Sequence, residues 1–310
     1  MIKEPTPSFS VSLPPELERL IFETVVCQHG RRYAPKLLLI SRQVHEWIRP
    51  MLYRIIIQFV DHETLPNRNV PPSSSNTRLD SVCPFARHLL VGGPLKEEGI
   101  CQILEASTNV VDLCIWSEVP LKKFIHYIHR LCPLRLSADL ASLDLDDLTG
   151  PAFSRVTHLD AVGWKGQPWH IWKNVTLLPR LTHLAVNCPV ENEVIVGLLS
   201  ECQHVELLVV FKAGDDWYDL EVNDPDKFCS IFTDIDDERL VLLEDNPTGS
   251  VLQDWESSAS GGMNMWTFAE SVLFARQHRL FREPSQRWFI CAFSLAPHLT
   301  DEGLRWYSDL

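Results

Sequence analysis

Apolar positions over residues 13–54 recur at helical spacing. Ser12-Leu13-Pro14-Pro15-Glu16 opens a first helix, since proline suits a first turn whose N–H groups have no intrahelical acceptor. Leu17, Leu20, Ile21 and Val25 then fall on one face, and His29-Gly30-Arg31-Arg32 breaks the pattern. A second helix is predicted from near Pro35, with Leu37, Ile40, Val44 and Trp47 or Ile48 on its apolar side. Pro50 is expected to stop it, leaving Met51-Leu52-Tyr53-Arg54 as a short turn. Helices this short are marginal alone, so the set must pack on itself or on a partner.

The period then changes. Residues 54–60 (Arg-Ile-Ile-Ile-Gln-Phe-Val) read as a short strand. Residues 61–80, with Pro66, Pro71, Pro72 and Ser73-Ser74-Ser75, read as a flexible loop. From Phe85 the chain repeats. Leu89, Leu113, Leu134, Leu159, Leu184 and Leu207 are separated by 24, 21, 25, 25 and 23 residues. An aliphatic or alanine side chain follows each two positions later. The L-x-x-L-x-L frame and its period resemble leucine-rich repeats, in which no single strand–helix unit can bury its apolar face without neighbours. The position five after each leucine holds Pro94, Glu118, Asp139, Trp164, Pro189 and Lys212, so the asparagine ladder of regular repeats is missing.

These patterns predict an α/β chain of parallel strands alternating with helices, in four parts. A helical module occupies 1–60, the flexible loop 61–80, and an irregular leucine-rich-repeat solenoid with an acidic insertion 81–250. A helical cap, 251–310, closes the open end of the stack. Within these parts, 239–244 reads as a further strand, 251–262 as a loop and 265–279 as a helix. Side chains alternate along a strand, so the neighbours of each central leucine line the concave surface. With strands ~4.8 Å apart, Arg135, His158, Asp160 and His183 should cluster, with Trp116 nearby and Asn187 on the same surface. Trp164, Trp169, Trp172 and Trp217 fall on loops beyond the strands. Aromatic and arginine side chains are favoured interface anchors, so Trp116, Arg135, His158, Asp160, His183 and Asn187 are the expected target-binding residues.

The first module carries a second resemblance. Leu13-Pro14-x-Glu16-Leu17, Ile21-Phe22, Leu37 to Ser41, Val44-x-x-Trp47 and Leu52-Tyr53-Arg54 resemble an F-box. That family's helical module docks substrate receptors onto the adaptor subunit of SCF-type ubiquitin ligases. Where the family carries a cysteine and a basic residue between the Val and the Trp, this chain has His45 and Glu46. The combination with repeats is similar to the fungal F-box-like family. The resemblance implies a substrate-recognition subunit that docks on the SCF adaptor, and through it on the cullin, by Leu13, Pro14, Leu17, Ile21, Ile40, Val44 and Trp47. The repeat arc would hold an as yet unknown target protein. The alternative is a non-catalytic leucine-rich-repeat scaffold or receptor with no ligase role.

Charge and composition narrow the partners. The chain has 310 residues and a formal charge of −13. Residues 13–54 hold seven Lys/Arg against four Glu, a +3 that suits the family's acidic adaptor. Residues 191–256 hold eighteen acidic side chains against Lys212, Lys227 and Arg239, a surface that would repel phosphates, so nucleic acid is not an expected partner. No apolar run approaches the ~18 residues of a membrane span, and no apolar leader opens the chain. The nine scattered cysteines contain no C-x-x-C, so reduced thiols and a cytoplasmic or nuclear location are expected. No nucleophile-elbow, phosphate-loop or H-E-x-x-H motif is present. Neither His158/His183 nor His126/His129 has a third ligand at standard spacing. No catalytic residue, metal or cofactor is therefore expected. A hydrolase or transferase would need a deep pocket with convergent titratable groups.

Overall fold

A computed structural model of the chain describes residues 13–29, 34–59, 62–63, 76–162, 167–187, 190–211, 232, 234–243, 250–284, 288–289 and 294–309. Two compact units result, Met1–Arg54 and Ile55–Leu310.

Among the described residues the first unit holds three helices, α1 (Pro15–His29), α2 (Ala34–Leu37) and α3 (Arg42–Leu52). The Pro14 carbonyl accepts the N–H groups of Leu17 and Glu18, at 3.0 and 3.1 Å, which starts α1. The second predicted helix is split in two. Ser41 takes an extended conformation, and its Oγ accepts the Val44 N–H at 3.1 Å, capping a new helix. Pro50 does not stop α3, which runs on to Leu52. Val26, Ala34, Val44 and Ile48 form the buried core, with Phe22, Leu37, Leu38, Trp47, Met51 and Leu52 packed around it. On α1 the inner side is thus Phe22 and Val26. Leu17, Leu20 and Ile21 point to solvent.

The second unit is built on one sheet. Its strands are β1 (Ile55–Phe59), β2 (His62–Glu63), β3 (His88–Gly92), β4 (Asp112–Trp116), β5 (Arg135–Asp139), β6 (His158–Val162), β7 (His183–Asn187), β8 (Leu207–Phe211), β9 (Leu240–Leu243) and β10 (Trp288–Phe289). Their order is β10-β9-β8-β7-β6-β5-β4-β3-β1-β2. Eight strands of four or five residues, β1 and β3–β9, run parallel, each beside the next in sequence. Among the described strands β2 alone pairs antiparallel, at the edge. This is the stacking a solenoid requires, and β1 opens the stack instead of closing the helical unit.

Strand entry repeats. The Arg87 carbonyl takes the N–H groups of Val111 and Asp112, and Val111 takes Leu134 and Arg135. Leu134 in turn takes Thr157 and His158, Thr157 takes Thr182 and His183, and Thr182 takes Glu206 and Leu207. Helices fill the crossovers unevenly. α4 (Asn76–Val82), α5 (Glu97–Ala106), α6 (Ile125–Leu131) and α9 (Asn192–Glu201) make about two turns or more. α7 (Leu145–Leu148) and α8 (Trp169–Trp172) are single turns followed by 3₁₀ segments.

Register corrects the repeat frame at two strands. The row of central leucines is Leu89, Leu113, Leu136, Leu159, Leu184 and Leu208. Every member is at most 2% exposed, and burying each leucine contributes about 1.5–3 kcal/mol. Leu136 stands where Leu134 is expected, a shift of two that keeps the face. Leu208 stands where Leu207 is expected, a shift of one that exchanges the faces. Leu207, Val209 and Phe211 therefore lie on the side assigned to Glu206, Leu208 and Val210.

The C-terminal segment holds the largest departure. Residues 251–260, read as loop, form α10 (Val251–Ser260), capped by Ser250 and ended by Gly261 at φ +80°. It is followed by α11 (Met265–Gln277), with an Asn264–Thr267 capping box, and α12 (Asp301–Ser308), capped by Thr300. α10 and α11 do not close the end of the stack. They lie across the sheet face that the repeat frame leaves open. Trp255 and Ala259 of α10 pack on Ile55, Ile57, Leu90 and Cys114. Phe268, Ala269 and Val272 of α11 belong to one cluster with Leu207, Val209, Phe211, Val241 and Leu243. Both faces of the sheet are buried at its ends, as parallel sheets usually are.

Candidate functional site

Between the two apolar ends the same face turns polar. One register row reads His88, Asp112, Arg135, His158, His183, and the next reads Cys114, Ser137, Asp160, Ala185. Over these strands α10 and α11 leave a cleft of about 40 Å³, lined by Trp116, Arg135, Ser137, His158 and Asp160 from the sheet and by Asp254, Trp255 and Trp266 from the helices. That is room for a few water molecules and well short of the several hundred Å³ of a small-molecule site.

Hydrogen bonds order the cleft floor. Trp116 Nε1 donates to Ser137 Oγ at 2.8 Å, and Ser137 Oγ donates to Asp160 Oδ2 at 2.6 Å. The other carboxylate oxygen, Asp160 Oδ1, is buried with no hydrogen bond. Burial pushes Asp160 up to about 6, against the Ser137 bond, which lowers it. Asp254 comes from α10, and both its oxygens accept the Met265 N–H, at 2.9 and 3.1 Å. Burial pushes it up to about 7, opposed by the Met265 bond and reinforced by the nearby Asp160. The indole N–H of Trp255 is also buried without an acceptor. Arg135 reaches Ser258 Oγ at 3.2 Å. Burial, then Asp160 and Asp112, raise the Cys114 thiol, which is therefore protonated and unreactive.

The histidines form the wall. His158 and His183 stack with ring centroids 4.1 Å apart and planes 10° apart, and Trp266 sets its edge against both, at 5.3 and 5.8 Å. Each Nδ1 meets the hydroxyl of the preceding threonine, Thr157 at 2.9 Å and Thr182 at 2.8 Å. His183 Nε2 lies 3.1 Å from Glu270 Oε1 of α11. Burial, then His183 and Arg135, lower His158 to about 3, so its ring is neutral near pH 7.

The structure thus brings together Trp116, Arg135, His158, Asp160 and His183. Asn187 stays apart, at the far end of β7 opposite Phe211, with its Oδ1 buried and unbonded. The five clustered residues do not lie on an open concave surface, because the C-terminal helices cover them. Of the tryptophans expected on loops, Trp169 and Trp172 instead begin and end helix α8; Trp172 is buried, Trp169 is half-buried beside Gly197, where a Cβ would strike its ring, and Trp164 and Trp217 lie outside the described residues. Sequence reasoning missed Asp254, Trp255, Trp266 and Glu270, which arrive from about a hundred residues away. The signal for the first two was the Ser250 and Gly261 helix boundary.

A second candidate surface lies on the helical unit. Leu13, Leu17, Leu20 and Ile21 are 43, 48, 58 and 50% exposed, a stripe at i, i+4, i+7 and i+8, and Leu39 and Ile40 are 87 and 57% exposed. Pro14 is exposed as well. Five of the seven residues of the docking expectation are therefore at the surface. Val44, 4% exposed, and the half-buried Trp47 belong to the core of the unit.

No family model and no curated protein matches the chain. Among the described residues no helix is long and apolar enough to cross a membrane, and the cysteines Cys27, Cys83, Cys101, Cys114, Cys132 and Cys202 are free thiols.

Proposed function

We propose that the chain is a non-catalytic interaction protein, the substrate-recognition subunit of an SCF-type ubiquitin ligase. Its helical unit docks on the adaptor, and its parallel-sheet unit holds a target protein. The observation that carries this reading is the exposed stripe of Leu13, Leu17, Leu20 and Ile21 with Ile40. A unit of this size has little apolar surface to spare, and contiguous exposed apolar side chains mark interaction sites. The +3 charge of residues 13–54 favours an acidic partner. The target is then held by the rim around Trp116 and Arg135, both half-buried, and not by an open concave surface.

The second reading, a repeat scaffold or receptor without a ligase role, draws on Val44 and Trp47, which serve the core of the unit. Size-exclusion chromatography of the full chain with purified adaptor and cullin separates the two. Co-elution of all three is expected for the receptor, and elution of the chain alone indicates the scaffold.

A further inference from the structure

The side chains of His158, His183 and Glu270 offer ligand atoms within 4.8 Å of one another, and their hydrogen bonds specify which atoms those are. Thr157 Oγ1 donates to the Leu134 carbonyl at 3.1 Å, and Thr182 Oγ1 donates to the Thr157 carbonyl at 3.2 Å. A hydroxyl has one hydrogen. Each threonine oxygen therefore faces its histidine as an acceptor, and each Nδ1 must carry the proton. In the neutral ring the lone pair then sits on Nε2, in both histidines, on neighbouring strands of one register row. His183 Nε2 points that lone pair at a carboxylate oxygen of Glu270, 3.1 Å away. Two acceptors at that distance repel unless something positive lies between or beside them.

We propose that His158 Nε2, His183 Nε2 and Glu270 bind a divalent transition-metal ion, with zinc the natural occupant of such a two-nitrogen, one-carboxylate set. The threonines take the role that outer-shell partners play at metal sites. They fix the tautomer and hold each ring by Nδ1. Trp266 closes the apolar side against both rings. The stacked rings must tilt and the carboxylate draw in to reach bonding distance. The histidine χ2 torsion is soft, and the Glu270 side chain is half-exposed. Arg135 is an adverse charge for the ion, and it is drawn off toward Ser258. With three protein ligands, a fourth position is left for water or for a donor on the target. This site is independent of the docking role proposed above.

The rival occupant of the same geometry is a proton on His183. Cobalt(II) distinguishes the two, since its visible spectrum reports ligand type and geometry. Titration of the full chain at pH 7 is expected to give about one equivalent of bound cobalt with d–d bands and no thiolate charge-transfer band. Zinc should displace it. His183→Asn and Glu270→Gln should each weaken binding at least about tenfold. Glu270 is exposed, so Glu270→Gln keeps the fold, and an unchanged thermal transition without metal verifies this. Absence of cobalt binding, a thiolate band from the cysteines, or equal affinity in Glu270→Gln would overturn the proposal.

Discussion

Asp254 gives the sharpest energetic prediction. The residue is 7% exposed, and burial lifts its pKa from 3.8 to about 7. The unfolded chain releases that proton near pH 4, while the folded protein keeps it to about pH 7. In that window the folded state binds more protons than the unfolded state, so stability falls as pH rises. Each pKa unit corresponds to about 1.4 kcal/mol, and a shift of three units is about 4 kcal/mol by pH 8. Asp160, raised to about 6, adds a smaller slope of the same sign. Asp254→Asn removes the ionisation and keeps an oxygen for the Met265 N–H. At about 2–4 °C per kcal/mol for a unit of this size, the variant should melt on the order of 10 °C above the parent at pH 8. At pH 4 the two should melt together. Thermal unfolding followed by circular dichroism at both pH values measures the difference. Parallel pH profiles for parent and variant, or a parent that gains on the variant between pH 4 and 8, would refute the buried-carboxylate reasoning.

Three further outcomes follow from the packing. Gly92→Ala should destabilise the second unit by more than about 3 kcal/mol in urea unfolding, because a Cβ there runs into the carbonyl of Trp116. Ser137→Ala leaves Asp160 and the Trp116 indole without the hydroxyl that joins them. It should cost about 1–3 kcal/mol, and raise the Asp160 pKa further in a carboxyl titration by NMR. Glu206→Lys should fall within about 0.5 kcal/mol of the parent, while Leu207→Ala should cost about 2–5 kcal/mol. That contrast in chemical denaturation tests the burial of Leu207 beside the exposed Glu206.

The parallel strands were legible in the sequence because leucines recur at a repeat period. Faces were legible only where one side of a strand is apolar and the other polar. At Leu207-Leu208 both sides are apolar, since both leucines are fully buried and α11 covers the Leu207 face. Alternation then has nothing to choose between, and a one-residue slip goes unseen. Leu134 and Leu136 share a face, so either fits the frame. Residues 251–262 read as loop because their serines and glycines outnumber their apolar side chains. Ser250 and Gly261 nevertheless carry the start and stop of a helix. The cluster of Arg135, His158, Asp160 and His183 followed from strand spacing alone. Glu270 could not have been found this way, because only the path of α11 across the sheet brings it to His183.

The exposed stripe on the helical unit is tested most directly by titrating the full chain against the purified SCF adaptor, beside the double variant Leu17→Glu, Ile21→Glu. Both residues are about half exposed, so the variant is expected to unfold at the same temperature as the parent. Loss of a central apolar anchor costs about 2 kcal/mol or more, close to thirtyfold in affinity. The docking account predicts binding by the parent and at least that loss in the variant. No binding by the parent, or equal binding by both, would contradict it.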